Sequence, residues 1–549
     1  MDYLEKYHDW LNWADESTKK ELSAISDDKE IEDRFYKDLE FGTAGLRGIM
    51  GAGTNRMNRY TVAKASRGLA DYLKALYPAE LKRGVVIAYD SRLHSAEFAR
   101  EAANVLTASG IPVKLFNELE PIPVLSFSIK HFHALGGIVI TASHNPAEYN
   151  GYKVYGEDGG QLVPDKANVL TDYVERITDL PSIDDSGNDK LLTLLGHLTV
   201  QNFIDTIFKE SYYKGNPPAL SIVYTPLHGS GNKPVRYILA QAGFTDVHIV
   251  EKQEKPDGTF PTVISPNPEN EEALALGIRL AGKVNADIVI GTDPDSDRIG
   301  AAVKHKEGYT LITGNQMGAL LTYFVLSTRK DRLTPASTLV KTVVTGELGA
   351  DIARSFRIQV VETLTGFKYI GEKISRWAAD HTHEFVLGYE ESYGYLVGTH
   401  AQDKDAVVSA MLICEMAAYF KEKGKTLEDV LEELYKRFGY YYDKSVSYTL
   451  KGKTGKEKIQ VIMESLRKLD ASKLIPDIEE TIDFEKGIGD LPKENVMKYR
   501  LHSGGWMAIR PSGTEPKIKF YYSLKGNDKE ETLKLFNTYK SVWEKEFSL

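Results

Sequence analysis

The sequence predicts an α/β protein built from several related domains, and three observations lead there. Beyond residue 35, helix-period and strand-period segments alternate, as βα units require. A faint repeat recurs. Gly137-Ile138-Val139-Ile140-Thr141, Asp287-Ile288-Val289-Ile290-Gly291-Thr292 and Phe385-Val386-Leu387-Gly388-Tyr389 each read as a buried strand running into a polar loop. Finally, 549 residues are too many for one core and suggest roughly three to five domains. Three related α/β domains facing a central cleft would produce this pattern.

Taken in order, residues 1–35 read as amphipathic helices whose Trp10, Leu11 and Trp13 pack onto the first domain. The start, Met1-Asp2-Tyr3-Leu4-Glu5-Lys6, is acidic and has no apolar core, so it does not read as a signal peptide. Val85–Tyr89 is a strand ending at Asp90. Ser221–Thr225 is another, ending at Pro226-Leu227-His228-Gly229. Pro181–Asn188 reads as a loop before the second domain, and Arg329–Arg332 as a charged surface segment inside the third. Leu431–Phe438 completes a helix, and the last domain follows Gly439. These marks divide the chain at 1–200, 201–310, 311–438 and 439–549.

Composition narrows the function classes. The chain is 42% hydrophobic and 27% charged with net charge −10, and it has no Lys/Arg run, which argues against nucleic-acid binding. An anionic ligand must then be met by locally placed cations. No run of ~18 apolar residues suggests a membrane span. The single cysteine, Cys414, lies in an apolar run, excludes an intrachain disulfide and fits a reducing, cytoplasmic compartment. Gly424-Lys425-Thr426 and Gly452-Lys453-Thr454 suggest a P-loop, but the upstream Gly is replaced by Tyr419 and Ser447.

Four motifs carry chemistry. Thr141-Ala142-Ser143-His144-Asn145-Pro146 puts a hydroxyl beside an imidazole on a tight loop at a strand end. Asp293-Pro294-Asp295-Ser296-Asp297-Arg298 sets three carboxylates at i, i+2 and i+4. On an extended strand they would sit ~7 Å apart on one face. A Pro-containing loop can draw them together around a hard divalent cation, Mg²⁺, Mn²⁺ or Ca²⁺. An EF-hand fails because Arg298 and Lys304 stand where Gly and Glu belong; read alone, the motif also fits a hydrated acidic turn. Gly388-Tyr389-Glu390-Glu391-Ser392-Tyr393-Gly394 points adjacent acids in different directions and offers partners for sugar hydroxyls, or is a plain polar turn. Arg510-Pro511-Ser512-Gly513-Thr514-Glu515-Pro516-Lys517, between two strand-like runs, reads as a phosphate cradle or as a simple hairpin turn.

Together, in this order, the motifs resemble those of the α-D-phosphohexomutase superfamily and, within it, the phosphoglucomutases. Phe41–Gly48, Asn150-Gly151-Tyr152-Lys153 and Thr365-Gly366-Phe367-Lys368 resemble further signatures of the family, so the match runs from about residue 40 to about residue 521. The resemblance implies three α/β domains and a smaller C-terminal α+β domain with an antiparallel sheet. It implies interconversion of glucose 1-phosphate and glucose 6-phosphate through a phosphoserine on Ser143 and a glucose 1,6-bisphosphate intermediate. One Mg²⁺ would sit on Asp293, Asp295, Asp297 and the Ser143 phosphate. Arg47 and Arg298 resemble the charge partners of that phosphate. Lys404 is the leading acid/base group, with His144 and Lys153 nearby. Thr365, Gly366, Glu390 and Ser392 would read the sugar. Arg510, Ser512, Gly513, Thr514 and Lys517 would hold the non-reacting phosphate. Partners would be sugar phosphates alone, for a monomer or homodimer. Tyr389, where Gly often stands, leaves room for a pentose-tolerant subgroup. A phosphomannomutase, a phosphopentomutase, a metal-dependent sugar-phosphate phosphatase and a silent sugar-phosphate sensor are the alternatives.

Overall fold

The structure is a computed structural model, and it describes residues 2–42, 45–306, 308–450, 452–512 and 517–549. Strands β1 (Leu46–Ile49), β2 (Val85–Tyr89), β3 (Val113–Phe116), β4 (Gly136–Ile140), β5 (Tyr149–Gly156) and β6 (Leu192–Leu195) form a sheet in the order β1-β5-β4-β2-β3-β6. Strand β2 runs parallel to both β3 and β4, and β5 returns antiparallel to β4. All of β4 is buried, which is why it reads as an unbroken apolar run rather than an alternating one.

The second sheet repeats this scheme. Strands β7 (Ile222–Thr225), β8 (Val247–Ile249), β9 (Ile288–Thr292), β10 (Ile299–His305) and β11 (Gly308–Ile312) lie in the order β11-β10-β9-β7-β8. Here β7 is parallel to β8 and β9, and β10 returns antiparallel to β9. The parallel triple recurs once more in β12 (Ser337–Thr342), β13 (Gln359–Thr363) and β14 (Glu384–Glu390), with β12 between the other two. Strand β15 (Gly394–Val397) follows the third exit loop. The chain leaves β4, β9 and β14 through loops in which Ser143, Ser296 and Tyr393 hold φ of 52°, 50° and 64°. The faint sequence repeat is thus a repeated strand, a sharp loop and a left-handed residue.

The last sheet is antiparallel throughout: β16 (Tyr440–Thr449), β17 (Ile478–Asp483), β18 (Met497–Leu501), β19 (Trp506–Pro511) and β20 (Lys517–Gly526), in the order β16-β20-β19-β18-β17. Among the described residues, no helix is long and apolar enough to cross a membrane.

Three helices, Tyr3–Trp13, Glu16–Ser23 and Asp28–Phe35, precede the first sheet. Trp10, Leu22, Ile31 and Phe35 bury themselves with Ala52, and Leu11 and Trp13 pack partly buried on the same cluster. Thr426, part of the P-loop-like tripeptide, caps the helix Leu427–Phe438 by accepting from the Asp429 N–H. That is ordinary helix capping and explains the motif without a nucleotide. Cys414 is fully buried in the helix Ala406–Glu422, and burial pushes its thiol up.

The chain forms two compact units. One contains Met1–Ile312, Phe367–His381 and Tyr393–Glu422; the other contains Thr313–Gly366, Thr382–Ser392 and Lys423–Leu549. In the second unit a fully buried ammonium, Lys341 on β12, lies 3.0 Å from Glu347 and 2.9 Å from Glu362. Lys498 shares Glu362 at 2.9 Å, with its ammonium 4.9 Å from the centre of the Trp506 ring. Burial alone would raise Glu347, but the Lys341 charge overrides it and holds the carboxyl at about 2, against 4.5 for an ordinary glutamate. Lys341→Met would leave Glu347 only Arg354 and Glu362 only Lys498 as cationic partners and should destabilise this unit by about 1–3 kcal/mol, read in denaturant unfolding. Because the folded pKa is depressed, the contribution of Glu347 is complete above about pH 4.5 and disappears as pH falls toward 2. Lys341→Met should therefore flatten the acid limb of the unfolding curve.

Candidate active and metal site

Strand β4 delivers Ser143 into a loop that the fold holds from several sides. The Thr141 hydroxyl accepts from the Ser143 N–H at 2.9 Å, and lies 2.6 Å from Asp90 Oδ2 and 3.1 Å from Asp295 Oδ2. The main clamp is Arg92, whose side chain is wholly buried. Its guanidinium donates to the carbonyls of Ser143 (2.6 Å), Pro146 (2.9 Å), Tyr149 (3.0 Å) and Asn145. The Phe260 ring lies 5.0 Å from the guanidinium carbon, and Asp90 is 3.5 Å from Nε. A left-handed serine persists only where its surroundings over-determine it, and these bonds do so.

The result is an aimed hydroxyl. Ser143 Oγ donates to Asp293 Oδ2 at 2.8 Å and lies 3.2 Å from His144 Nδ1. Burial, then the Arg298 and Arg47 charges, hold the His144 imidazole well below its usual range, so it is neutral.

Strand β9 delivers the three aspartates, all buried. Backbone bonds shape their loop. Ser230 N–H donates to Pro294 O at 2.8 Å, Ile122 N–H to Asp295 O at 3.0 Å, and Arg298 N–H to Asp293 Oδ1 at 3.0 Å. One oxygen from each carboxylate comes within 4.8 Å of the other two. Burial, and then the Asp295 and Asp297 charges, push Asp293 well above the carboxylate range. Burial opposes ionisation of Asp297 too, but Lys404, Lys153 and Arg298 hold it below that range. Asp295 Oδ1 and Asp297 Oδ1 are buried with no hydrogen-bond partner among the described residues. Three converging carboxylates with two unsatisfied oxygens are the donor set of a hard divalent cation.

Two lysines face this trio. Lys153 Nζ is 3.1 Å from Asp295 Oδ2. Lys404 Nζ is 3.2 Å from both Asp297 and Asp403, and Asp403 in turn accepts from Tyr155 OH at 2.8 Å. With 12% of its side chain exposed, Lys404 is not the surface charge its flanking aspartates suggest. Gly394 is required here, since a Cβ would stand 2.0 Å from Lys404 Cδ. Arg47, on β1, is exposed and donates to Asn145 Oδ1 at 3.2 Å; Arg298 donates to Glu269 Oε1 at 2.8 Å. Ser143, His144, Lys153, Asp293, Asp295, Asp297 and Lys404 thus share one unit, along with Arg47 and Arg298.

The other unit holds the remaining groups. The buried Glu390 accepts from the Gly366 N–H at 2.8 Å, whereas Glu391 accepts from the Thr345 hydroxyl at 3.1 Å. The adjacent acids therefore diverge as an extended chain dictates. Thr365 Oγ1, next to Gly366 in sequence, is buried without a hydrogen-bond partner among the described residues, and Ser392 is half-buried. Tyr389 is fully buried against Gly318 and Gly349, where an added Cβ would meet its ring at 2.2 Å and its hydroxyl at 2.1 Å. Its side chain therefore packs into the core of this unit. Arg510 lies on β19, 3.4 Å from Glu494, and Ser512 N–H donates to Lys517 O at 2.8 Å. Gly513 and Thr514 lie outside the described residues.

Sequence reading missed Arg92, Asp403 and Glu269. Asp90 was recognised only as a strand end, and Arg92, two residues on, was the signal available there.

Models of the phosphoglucomutase/phosphomannomutase alpha/beta/alpha domains I, II and III match residues 38–180, 201–308 and 313–438. A phosphoglucomutase of Staphylococcus epidermidis is 36% identical over 544 residues, covering 94% of this chain and 96% of that protein. One of Staphylococcus aureus (strain USA300) is 38% identical over 542 residues, covering 94% and 95%. In fold, the open form of the Paramecium phosphoglucomutase pp63/parafusin matches with TM-score 0.71 at 16% identity, over 93% of this chain and 96% of that one.

Arg92→Lys tests the clamp. A lysine cannot meet four carbonyls with a planar fork, so buried acceptors go unsatisfied. Stability should fall by about 2–4 kcal/mol in denaturant unfolding, and turnover at least tenfold with substrate KM changed less, since the reacting hydroxyl loses its aim.

Proposed function

The chain belongs to the phosphoglucomutase/phosphomannomutase family, and from that premise we infer that it is an isomerase interconverting glucose 1-phosphate and glucose 6-phosphate. The observation that carries the chemistry is the Ser143 hydroxyl, 2.8 Å from a carboxylate of a buried trio in which two oxygens have no hydrogen-bond partner. Ser143 carries a phosphoryl group in the resting enzyme. It passes that group to the free hydroxyl of a sugar monophosphate, and the proton of the hydroxyl leaves to a nearby base. The bisphosphate turns end for end, and its other phosphoryl group returns to Ser143.

Asp293, Asp295 and Asp297, with the Ser143 phosphate, would hold one Mg²⁺, which supplies charge neutralisation to the transferring group. Around it the chain contributes cations: Lys153 and Lys404 on the carboxylates, Arg47 and Arg298 near the serine loop. Lys404, anchored between Asp297 and Asp403, is assigned to move the proton of the hydroxyl, with His144 at the serine. Glu390 and Ser392, with Thr365 and Gly366, are assigned to the sugar hydroxyls. Arg510, Ser512, Gly513, Thr514 and Lys517 are assigned to the idle phosphate. Division at 200/201, 310/311 and 438/439, a cytoplasmic location and a monomer or homodimer complete the reading.

Ser143→Ala should lower mutase turnover at least ~1000-fold while leaving the melting temperature near that of the parent, because a loop hydroxyl adds little to the core. Intact mass should show one phosphoryl group on the parent and none on the variant. Near-normal rates from the variant would sink the relay, and release of inorganic phosphate in step with substrate loss would identify a phosphatase instead.

Arg510→Ala should raise KM roughly 30- to 1000-fold, the equivalent of about 2–4 kcal/mol for a lost charge-assisted fork. It should also leak sugar bisphosphate, seen by chromatography, because the same clamp serves both orientations. Lys at this position should recover only part of the loss. Normal affinity without leakage would leave the loop a simple hairpin turn.

A further inference from the structure

Behind the aspartate loop, within the same unit, lies a cavity of about 300 Å³ that the mutase chemistry does not use. It opens between the segment after β3, the helix His197–Ile207 and the helix Asn232–Gln241. Glu120 lines it, only 9% exposed, and among the described residues its carboxyl has no hydrogen-bond or ion-pair partner. A carboxyl buried to this degree without a partner is costly unless it stays protonated or meets a cation.

The surroundings say which partner fits. Glu118 brings a second carboxylate to the mouth, where it is paired with Lys233. That pairing leaves the Glu120 charge unbalanced when ionised, so an anion is disfavoured. Among the described residues, the Asp293/Asp295/Asp297 trio is the only group of three acidic, His or Cys side chains placed to share a metal ion, and the cavity brings no such trio together. The remaining walls suit carbon. Val200 and Pro234 are buried, and the Tyr237 ring meets His197 edge-on at 5.4 Å, a surface on which a cation also rests well.

We propose that this cavity is a binding site for a small organic ammonium ion, its cation on the Glu120 carboxylate and its apolar body against Val200, Pro234 and Tyr237. The site adjoins the metal loop from behind. Ser230, on the cavity wall, donates its N–H (2.8 Å) and hydroxyl (2.7 Å) to Pro294 O. Ile122, two residues beyond Glu120, donates its N–H to Asp295 O at 3.0 Å. An occupant therefore rests on the two segments that fix the backbone of that loop.

Burial, then Glu118, push Glu120 up to about 8 against the opposing pull of Lys233. Of the other titratable groups around it, His197 and Tyr237 line the cavity, and the Tyr89 carbonyl accepts from the Glu120 N–H. Glu120 is thus largely protonated at neutral pH, and binding a cation expels its proton. Apparent affinity follows the ionised fraction.

Calorimetric titration of the full-length protein with benzylammonium chloride tests the site. Saturable 1:1 binding is expected, about 25-fold tighter at pH 8.5 than at pH 6.5. Glucose 1-phosphate should not displace the ligand, and benzyl alcohol should bind at least tenfold more weakly. Glu120→Gln should abolish the pH dependence and weaken binding at least tenfold, and Tyr237→Ala should weaken it severalfold. Absence of saturable heat, equal binding of benzyl alcohol, displacement by glucose 1-phosphate, or an unchanged Glu120→Gln or Tyr237→Ala would each overturn the proposal. If Glu120→Gln fails to fold, the pH dependence of the parent and the Tyr237→Ala variant still decide.

Discussion

Mutual repulsion among Asp293, Asp295 and Asp297 is the constraint on which the rest of this structure depends. Three carboxyl groups with oxygens within 4.8 Å of one another, all out of water, resist ionising together and cannot be held by side-chain contacts alone. The backbone forces them together. Ser230 and Ile122 grip the loop carbonyls, and the Arg298 amide fixes Asp293. Lysines 153 and 404 then offset part of the charge. What they leave uncompensated suits a divalent cation, so the destabilising feature and the metal-binding feature are the same group of atoms.

The opposing loop solves the converse problem. Around Ser143 the carbonyls of four residues converge, and their partial negative charges need a donor. Arg92 supplies it from the interior, with Asp90 and Phe260 fixing the guanidinium. Two neighbouring loops therefore reach their shapes by opposite means, one by spreading a single cation over many acceptors, the other by crowding acids and neutralising them from outside. Each stands at the exit of a central strand that the sheet pins on both sides, which gives reacting atoms a rigid base.

Much of this was legible in the amino-acid order because buried parallel strands write themselves as apolar runs, and sharp exit loops as polar residues with Gly or Pro. Gly137–Ile140 and Ile288–Gly291 were found that way, as were Ser143 and the aspartates beyond them. The antiparallel last sheet came from family resemblance, since its half-exposed strands, such as Tyr440–Thr449, alternate only weakly. Interactions distant in sequence left no local trace. The contact of Asp297 with Lys404 joins residues more than a hundred positions apart, and Asp403 in an Asp-Lys-Asp run looks like solvated surface until Tyr155 is seen to bind it. The burial of Tyr389 is of the same kind: it depends on Gly318 and Gly349, distant in sequence, which make room for its ring.

The interleaving of the two units along the chain has a consequence for how the molecule is made. The first unit takes in residues as late as Tyr393–Glu422, after the second has already begun at Thr313. A ribosome reading from the first codon cannot finish the first unit before residue 422 has left the exit tunnel, although its opening 312 residues are long since available. Lys404, the partner of Asp297, belongs to that late segment. The acidic loop therefore spends part of synthesis without one of its two lysines. For the same reason, no single cut in the gene separates one complete unit from the other.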